Sequence, residues 1–144
     1  MVAFAQINVI VADMSASSAF YRRLGLTVDL PMPDHASVRL PGGFRLELDT
    51  AASVATWSGA AIAPVAGSVV LGFELSDRAA VDAVYADLVD AGSRPLTPPY
   101  DAFWGSRYAI VADPDGNPVS LMSPAEPARE NWPPDVPVLH SPDE

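Results

Sequence analysis

The chain contains no cysteine and no lysine. The first absence removes disulfides, thiolate nucleophiles and sulfur-rich metal sites together. The second leaves eight basic residues, all arginine and scattered, against 18 acidic ones. A formal charge of −10 argues against nucleic acid as a partner, because phosphate binding needs a basic surface. An acidic surface favours solubility and draws cations. No apolar run reaches about 18 residues, the length a membrane helix requires. The opening MVAFAQINVIVADM also lacks the basic start of an export signal. The expectation is a cytoplasmic protein with no membrane partner. Histidine is scarce too: His35 and His140 occur in unrelated contexts, neither near a candidate nucleophile, so no Ser-His-Asp or Cys-His arrangement is expected. Gly42-Gly43 and Gly116 read as hairpin glycines and not as a phosphate loop.

What is present is enough for one core: 144 residues with 49% apolar content. The pattern is of the α+β class. Phe4 to Asp13 alternates as a strand, and MSASSAFYRRLGL reads as a helix that Ser15, Ser17 or Ser18 can cap and Gly25 ends. Strands are then expected over Thr27 to Leu30, His35 to Leu40 and Phe44 to Asp49, the last two joined by the Pro41-Gly42-Gly43 turn. After a small-residue linker, 51–66, the order repeats. SVVLGFELSD reads as a strand, and RAAVDAVYADLVDAG as a helix with Val81, Val84, Tyr85 and Leu88 on one face. SRYAIVA and NPVSLM then form a hairpin across Asp113 to Gly116.

An offset of 64 superposes Gln6 on Val70, Asp13 on Asp77 and Tyr21 on Tyr85; an offset of 73 superposes Pro41 on Pro114, Glu47 on Ser120 and Leu48 on Leu121. Residues 2–50 and 67–123 are therefore structural repeats within one domain, 1–123. The growth of the offset places an insertion in GSRPLTPPYDAFWG. The tail, 124–144, holds six prolines in 21 residues; it cannot be a helix or a central strand, and Trp132 is its expected anchor.

Two β-α-β-β-β units, with VADMSASSAFYRRLGL after the first strand and DPDGNPVSL near the end, resemble the vicinal oxygen chelate superfamily: glyoxalase I, extradiol dioxygenases, fosfomycin-modifying enzymes and bleomycin-resistance proteins. The resemblance covers Val2 to Met122. It implies that each unit curls into half of a partly open barrel around a central cleft. It also implies that the metal positions of the family's enzymes fall on Gln6, Glu47, Val70 and Ser120. A catalytic divalent metal needs about three protein ligands, by preference imidazole, carboxylate or thiolate. Valine offers nothing and serine is a poor ligand, so neither a metal nor another cofactor is expected.

By strand alternation Gln6 shares a face with Phe4 and Asn8, and Glu47 shares one with Arg45 and Asp49. A turn over Asp113 to Gly116 sets Ser120 opposite Ala109 and Met122 opposite Arg107, which aims Arg107 into the cleft. Alternatively, Arg45, Glu47 and Arg107 form an ion-pair network bracing the barrel. Tyr100, Phe103 and Trp104 gather at the expected mouth with Trp57, suited to stacking on a planar ligand; the alternative is a loop pinned by its own aromatics. The expected activity is non-catalytic binding of a flat, polar organic ligand by a homodimer, similar to the drug-sequestering bleomycin-resistance proteins. Its expected contacts are Gln6, Asn8, Arg45, Glu47, Tyr100, Phe103, Trp104, Arg107, Ser120 and Met122. The rival readings are a metal-assisted lyase, isomerase or dioxygenase built on Gln6 and Glu47, and a domain with a vestigial cleft.

Overall fold

The computed structural model describes residues 1–60 and 62–133. In the first module, strand β1 (Gln6–Ile10) leads into helix α1 (Met14–Leu24), followed by β2 (Asp29–Met32), β3 (His35–Arg39) and β4 (Arg45–Asp49). The second repeats the order: β5 (Leu71–Glu74), α3 (Arg78–Asp90), β6 (Pro95–Asp101), β7 (Arg107–Ala112) and β8 (Pro118–Met122). Each module forms one four-stranded sheet, ordered β1-β4-β3-β2 and β5-β8-β7-β6. The outer pairs β1–β4 and β5–β8 are parallel and the other pairs antiparallel. The sheets do not close on each other, so the α+β architecture is of two curled, open halves.

The repeat is visible in the ladders. Asn8 pairs with Glu47 across β1–β4, and Gly72 pairs with Ser120 across β5–β8. Asp13 and Asp77, also repeat equivalents, cap the two long helices, accepting from the backbone N–H of Ala16 and Ala80. An aspartate at the N-cap satisfies a donor that the helix cannot. The serines expected to cap α1 instead lie inside it, Ser17 and Ser18 buried.

One core serves both modules. Alternation turns Leu46 and Leu48 of β4 and Val119 and Leu121 of β8 inward, against Tyr21 and Leu24 of α1 and Val81 and Leu88 of α3. The Tyr21 hydroxyl donates to Asp113 Oδ2 at 2.9 Å, tying α1 to the β7–β8 turn. Burial raises the Tyr21 pKa, and the charge and hydrogen bond of Asp113, with the charge of Asp115, raise it further.

The structure adds one element and corrects two expectations. Within the linker, helix α2 (Ala51–Ser58), capped by Thr50, occupies half of its length and buries Val54. The inserted segment is largely a strand, β6, whose prolines and two register shifts suit the edge position. The β7–β8 connection is longer than expected. The Asp113 carboxylate accepts from the backbone N–H of Asp115 and Asn117 and from the Asn117 side chain, drawing Asn117 into the turn so that pairing starts at Ala112 and Pro118. Ser120 therefore faces Ile110, and Met122 faces Tyr108.

The tail begins by docking. Asn131 N–H donates to the Phe103 carbonyl at 2.8 Å, Glu126 N–H donates to that of Gly105 at 3.1 Å, and Trp132 meets Phe103 edge-on at 4.9 Å. Residues 134–144, and with them His140, lie outside the described part. No described helix is long and apolar enough to cross a membrane.

Candidate functional site

The face of the first sheet turned away from the core carries the polar groups. Alternation presents Gln6 and Asn8 from β1, Arg45, Glu47 and Asp49 from β4, and His35 from β3, where His35 pairs directly with Asp49. These six residues line a recess of 440 Å³ with Trp57 of α2 at its rim. Asp49 and Glu47 are nonetheless buried, at 1% and 5% exposure. Buried carboxylates need partners.

The partners form a closed ring. Arg45 Nη2 donates to Gln6 Oε1 at 2.5 Å, Gln6 Nε2 to Asn8 Oδ1 at 2.9 Å, and Asn8 Nδ2 to Asp49 Oδ2 at 2.8 Å. Asp49 Oδ1 meets His35 Nδ1 at 2.8 Å and accepts from the Ser53 hydroxyl at 2.9 Å. His35 Nε2 lies 3.4 Å from Glu47 Oε2, and Glu47 Oε1 lies 3.1 Å from Arg45 Nε, which closes the circuit. Burial alone would raise the Asp49 pKa, but hydrogen bonds from Asn8, His35 and Ser53, with the charge of His35, hold it below the usual carboxylate range. Glu47 is the weak link: its Oε2 is buried without a hydrogen-bond partner among the described residues.

The sequence-predicted residues divide between the two sheets. Gln6, Asn8, Arg45 and Glu47 come together in the recess, whereas Tyr100, Phe103, Trp104, Ser120 and Met122 belong to the second module and do not line it. Tyr100, Trp104 and Tyr108 pack edge-on in a row, with Trp104 also against Phe103. Tyr100 of β6 and Tyr108 of β7 are cross-strand partners, so the row runs across the β6–β7 pair and onto its connecting turn. Arg107 does not reach the cleft. The one-residue change in hairpin register turns it to the helix side, where Nε donates to Asp82 at 2.9 Å and Nη1 to Asp101 at 3.1 Å. Its bond to Asp101, which also pairs with Arg78, lowers the Asp101 pKa. The sequence reading missed His35; counting back from Asp49 across the Pro41–Gly43 turn would have found it.

Beside the recess, where the β1 and β5 edges approach, lies an apolar groove of 290 Å³ lined by Phe4, Phe44, Val70, Gly72 and Phe73. Arg45 lines both spaces. At Gly72 a Cβ would come 3.1 Å from Ser120 Oγ and 3.2 Å from Met122 Cε, so glycine lets those two side chains pack closely over β5.

Paired β-α-β-β-β modules define the fold class, and sequence comparison assigns the family. Residues 3–121 match the model of the Glyoxalase/Bleomycin resistance protein/Dioxygenase superfamily, and the chain belongs to it. An uncharacterized protein of Mycobacterium bovis is 29% identical over 125 residues, covering 81% of this chain and 80% of its own. A glyoxalase-related enzyme from Fulvimarina pelagi has a similar structure, with TM-score 0.75 and 25% identity over 85% of this chain and 88% of that one. So does a glyoxalase/bleomycin resistance protein/dioxygenase from Nocardioides, with TM-score 0.67 and 28% identity over 88% of this chain and 85% of that one.

The donor set suits the divalent cation of the family's metal enzymes poorly. Val70 has no donor, Ser120 is only 2% exposed, and oxygens of both Gln6 and Glu47 are held by the Arg45 guanidinium, whose charge opposes a second cation. Among the described residues no group of three or more His, Asp or Glu side chains is arranged to hold a metal.

Proposed function

We propose that this protein binds a flat, polar organic ligand without a metal ion and without turnover, as a cytoplasmic homodimer. The observation that carries this reading is the polar ring of the recess, in which Arg45 holds one oxygen of Gln6 and one of Glu47 on a side chain that is 51% exposed. Ligand sites are typically concave, largely preformed and provided with a few placed polar groups. The recess supplies Gln6, Asn8, Arg45 and Glu47, and the groove beside it supplies apolar walls. Turnover by general acid–base chemistry requires a group that reaches the ligand, and Glu47 is buried while both nitrogens of His35 face carboxylates. Strand β2, at the outer edge of the first sheet and exposed along its length, supports dimerisation by strand pairing.

Native mass spectrometry of protein purified without denaturation, combined with elemental analysis, tests this. The expected result is a dimer mass with a bound organic molecule and only traces of metal. Stoichiometric zinc, iron, manganese or nickel that survives dialysis and is lost in Glu47→Ala would overturn it.

A further inference from the structure

We infer that Arg45 serves this site as a built-in cation and that the ligand it receives is an aromatic carboxylate, its acid group on the guanidinium and its ring in the groove beside it. The inference rests on the binding reading above and deepens it. A guanidinium carries five N–H donors in a planar fork. Here Nε faces Glu47 on the same strand and one Nη2 hydrogen goes to Gln6 on the neighbouring strand, so two oxygens fix the plane of the fork. Three donors remain, on a side chain that is 51% exposed. That is the donor set for a carboxylate, which arginine binds in bidentate fashion with the geometry already preorganised.

The competing occupant is a cation, drawn by two carboxylates and by the net charge of −10. Local geometry decides against it. The Asp49 oxygens are filled by Asn8, His35 and Ser53, and Glu47 Oε2 is buried toward His35, so neither acid offers solvent a free oxygen. The distributed surface charge is screened beyond about 8–10 Å at physiological salt. What the ring presents outward is N–H. The ring requirement comes from the shared lining: Arg45 borders the recess on one side and, on the other, the apolar groove lined by Val70 and by Phe4 and Phe44, whose rings pack against each other at 5.5 Å as one aromatic wall. Gly72 adds no side chain to that lining.

The test uses three probes of nearly one shape and different charge: benzoate, benzamide and benzamidine. Each is titrated into ¹⁵N-labelled full-length protein while the Arg45 Nε–H, Gly72 amide and Trp57 indole resonances are followed. Saturable shifts at Arg45 and Gly72 are expected with benzoate. Benzamide should bind about tenfold more weakly, the scale of a lost charged hydrogen bond, and benzamidine should produce no shifts. Arg45→Gln should abolish the benzoate shifts, and Arg45→Lys, which keeps the charge but loses the fork, should weaken them. Benzamide or benzamidine binding at these resonances as tightly as benzoate overturns the inference while leaving a ligand recess intact. No shift with any probe overturns both. Equimolar Mn²⁺ that broadens Gln6 and Glu47 in the wild-type protein overturns the built-in cation.

Discussion

Asn8 donates to Asp49 Oδ2 at 2.8 Å although 41 residues separate them in sequence. The bond exists because parallel pairing lays β1 beside β4, and it links the amide half of the polar ring to its acidic half. Within the ring, each side-chain amide that donates also accepts, which polarises the chain of bonds in one direction from Arg45 to Asp49.

Asn8→Ala should cost about 1–3 kcal/mol, the scale for leaving a buried acceptor short of a donor. Urea unfolding measures it. A loss indistinguishable from zero would show that water replaces the amide.

Acid should weaken the same network. The Asp49 pKa is depressed in the folded protein, so its stabilisation is present above the unfolded value of about 3.9 and is lost as pH falls through the folded one. Melting temperature should fall steeply below about pH 4 in the wild type, and less steeply in Asp49→Asn, which is less stable at neutral pH. Parallel curves would remove Asp49 from the explanation.

Alkali should act through Tyr21. Its folded pKa is raised, first by burial, so stability is complete below the unfolded value of about 10 and declines as pH rises above it. Tyr21→Phe removes this alkaline loss but leaves Asp113 one donor short, for about 1–3 kcal/mol at neutral pH. Thermal unfolding across pH 7–11 distinguishes the two effects.

Arg107→Ala should lower stability by about 0–1 kcal/mol, the ordinary range for partly exposed ion pairs, and leave ligand affinity unchanged. Its partners are Asp82 and Asp101, not ring members. A selective loss of affinity would return Arg107 to the site.

Gly105→Ala tests how the tail is seated. At φ +94 the residue is in the left-handed region, and a Cβ would come 2.5 Å from the Glu126 carbonyl oxygen. The substitution should cost about 1–3 kcal/mol and separate the half-exposed Trp132 from Phe103, read as a further red shift in its emission. Unchanged emission would mean that the Phe103–Trp132 contact does not depend on that close approach.

Much of this was legible in the sequence because a repeat constrains two halves at once. The offset of 64 that matches Asp13 to Asp77 also carries Asn8 to Gly72, and the ladders respect it. What failed depended on single residues within turns. Asp113 captures Asn117 by side-chain hydrogen bonds, a choice composition does not reveal, and one added residue moves Arg107 to the opposite face. His35 was overlooked for a different reason: a histidine on a half-exposed strand carries no spacing signal until its partner Asp49 is assigned by register. Helix α2 escaped because its alanines and serines read as linker, although Thr50 and Gly59 mark its ends.

The central claim, a metal-independent ligand site on the first sheet, is tested most directly by fluorescence of a variant that keeps Trp57 alone, with Trp104→Phe and Trp132→Phe, in the presence of EDTA. Trp57 stands at the rim of the recess, while Trp104 and Trp132 belong to the aromatic cluster that includes Phe103. The account predicts saturable quenching of Trp57 by planar organic acids, abolished by Arg45→Gln. Quenching that appears only when a divalent metal is added, or only in the variant that keeps Trp104 alone, would contradict it.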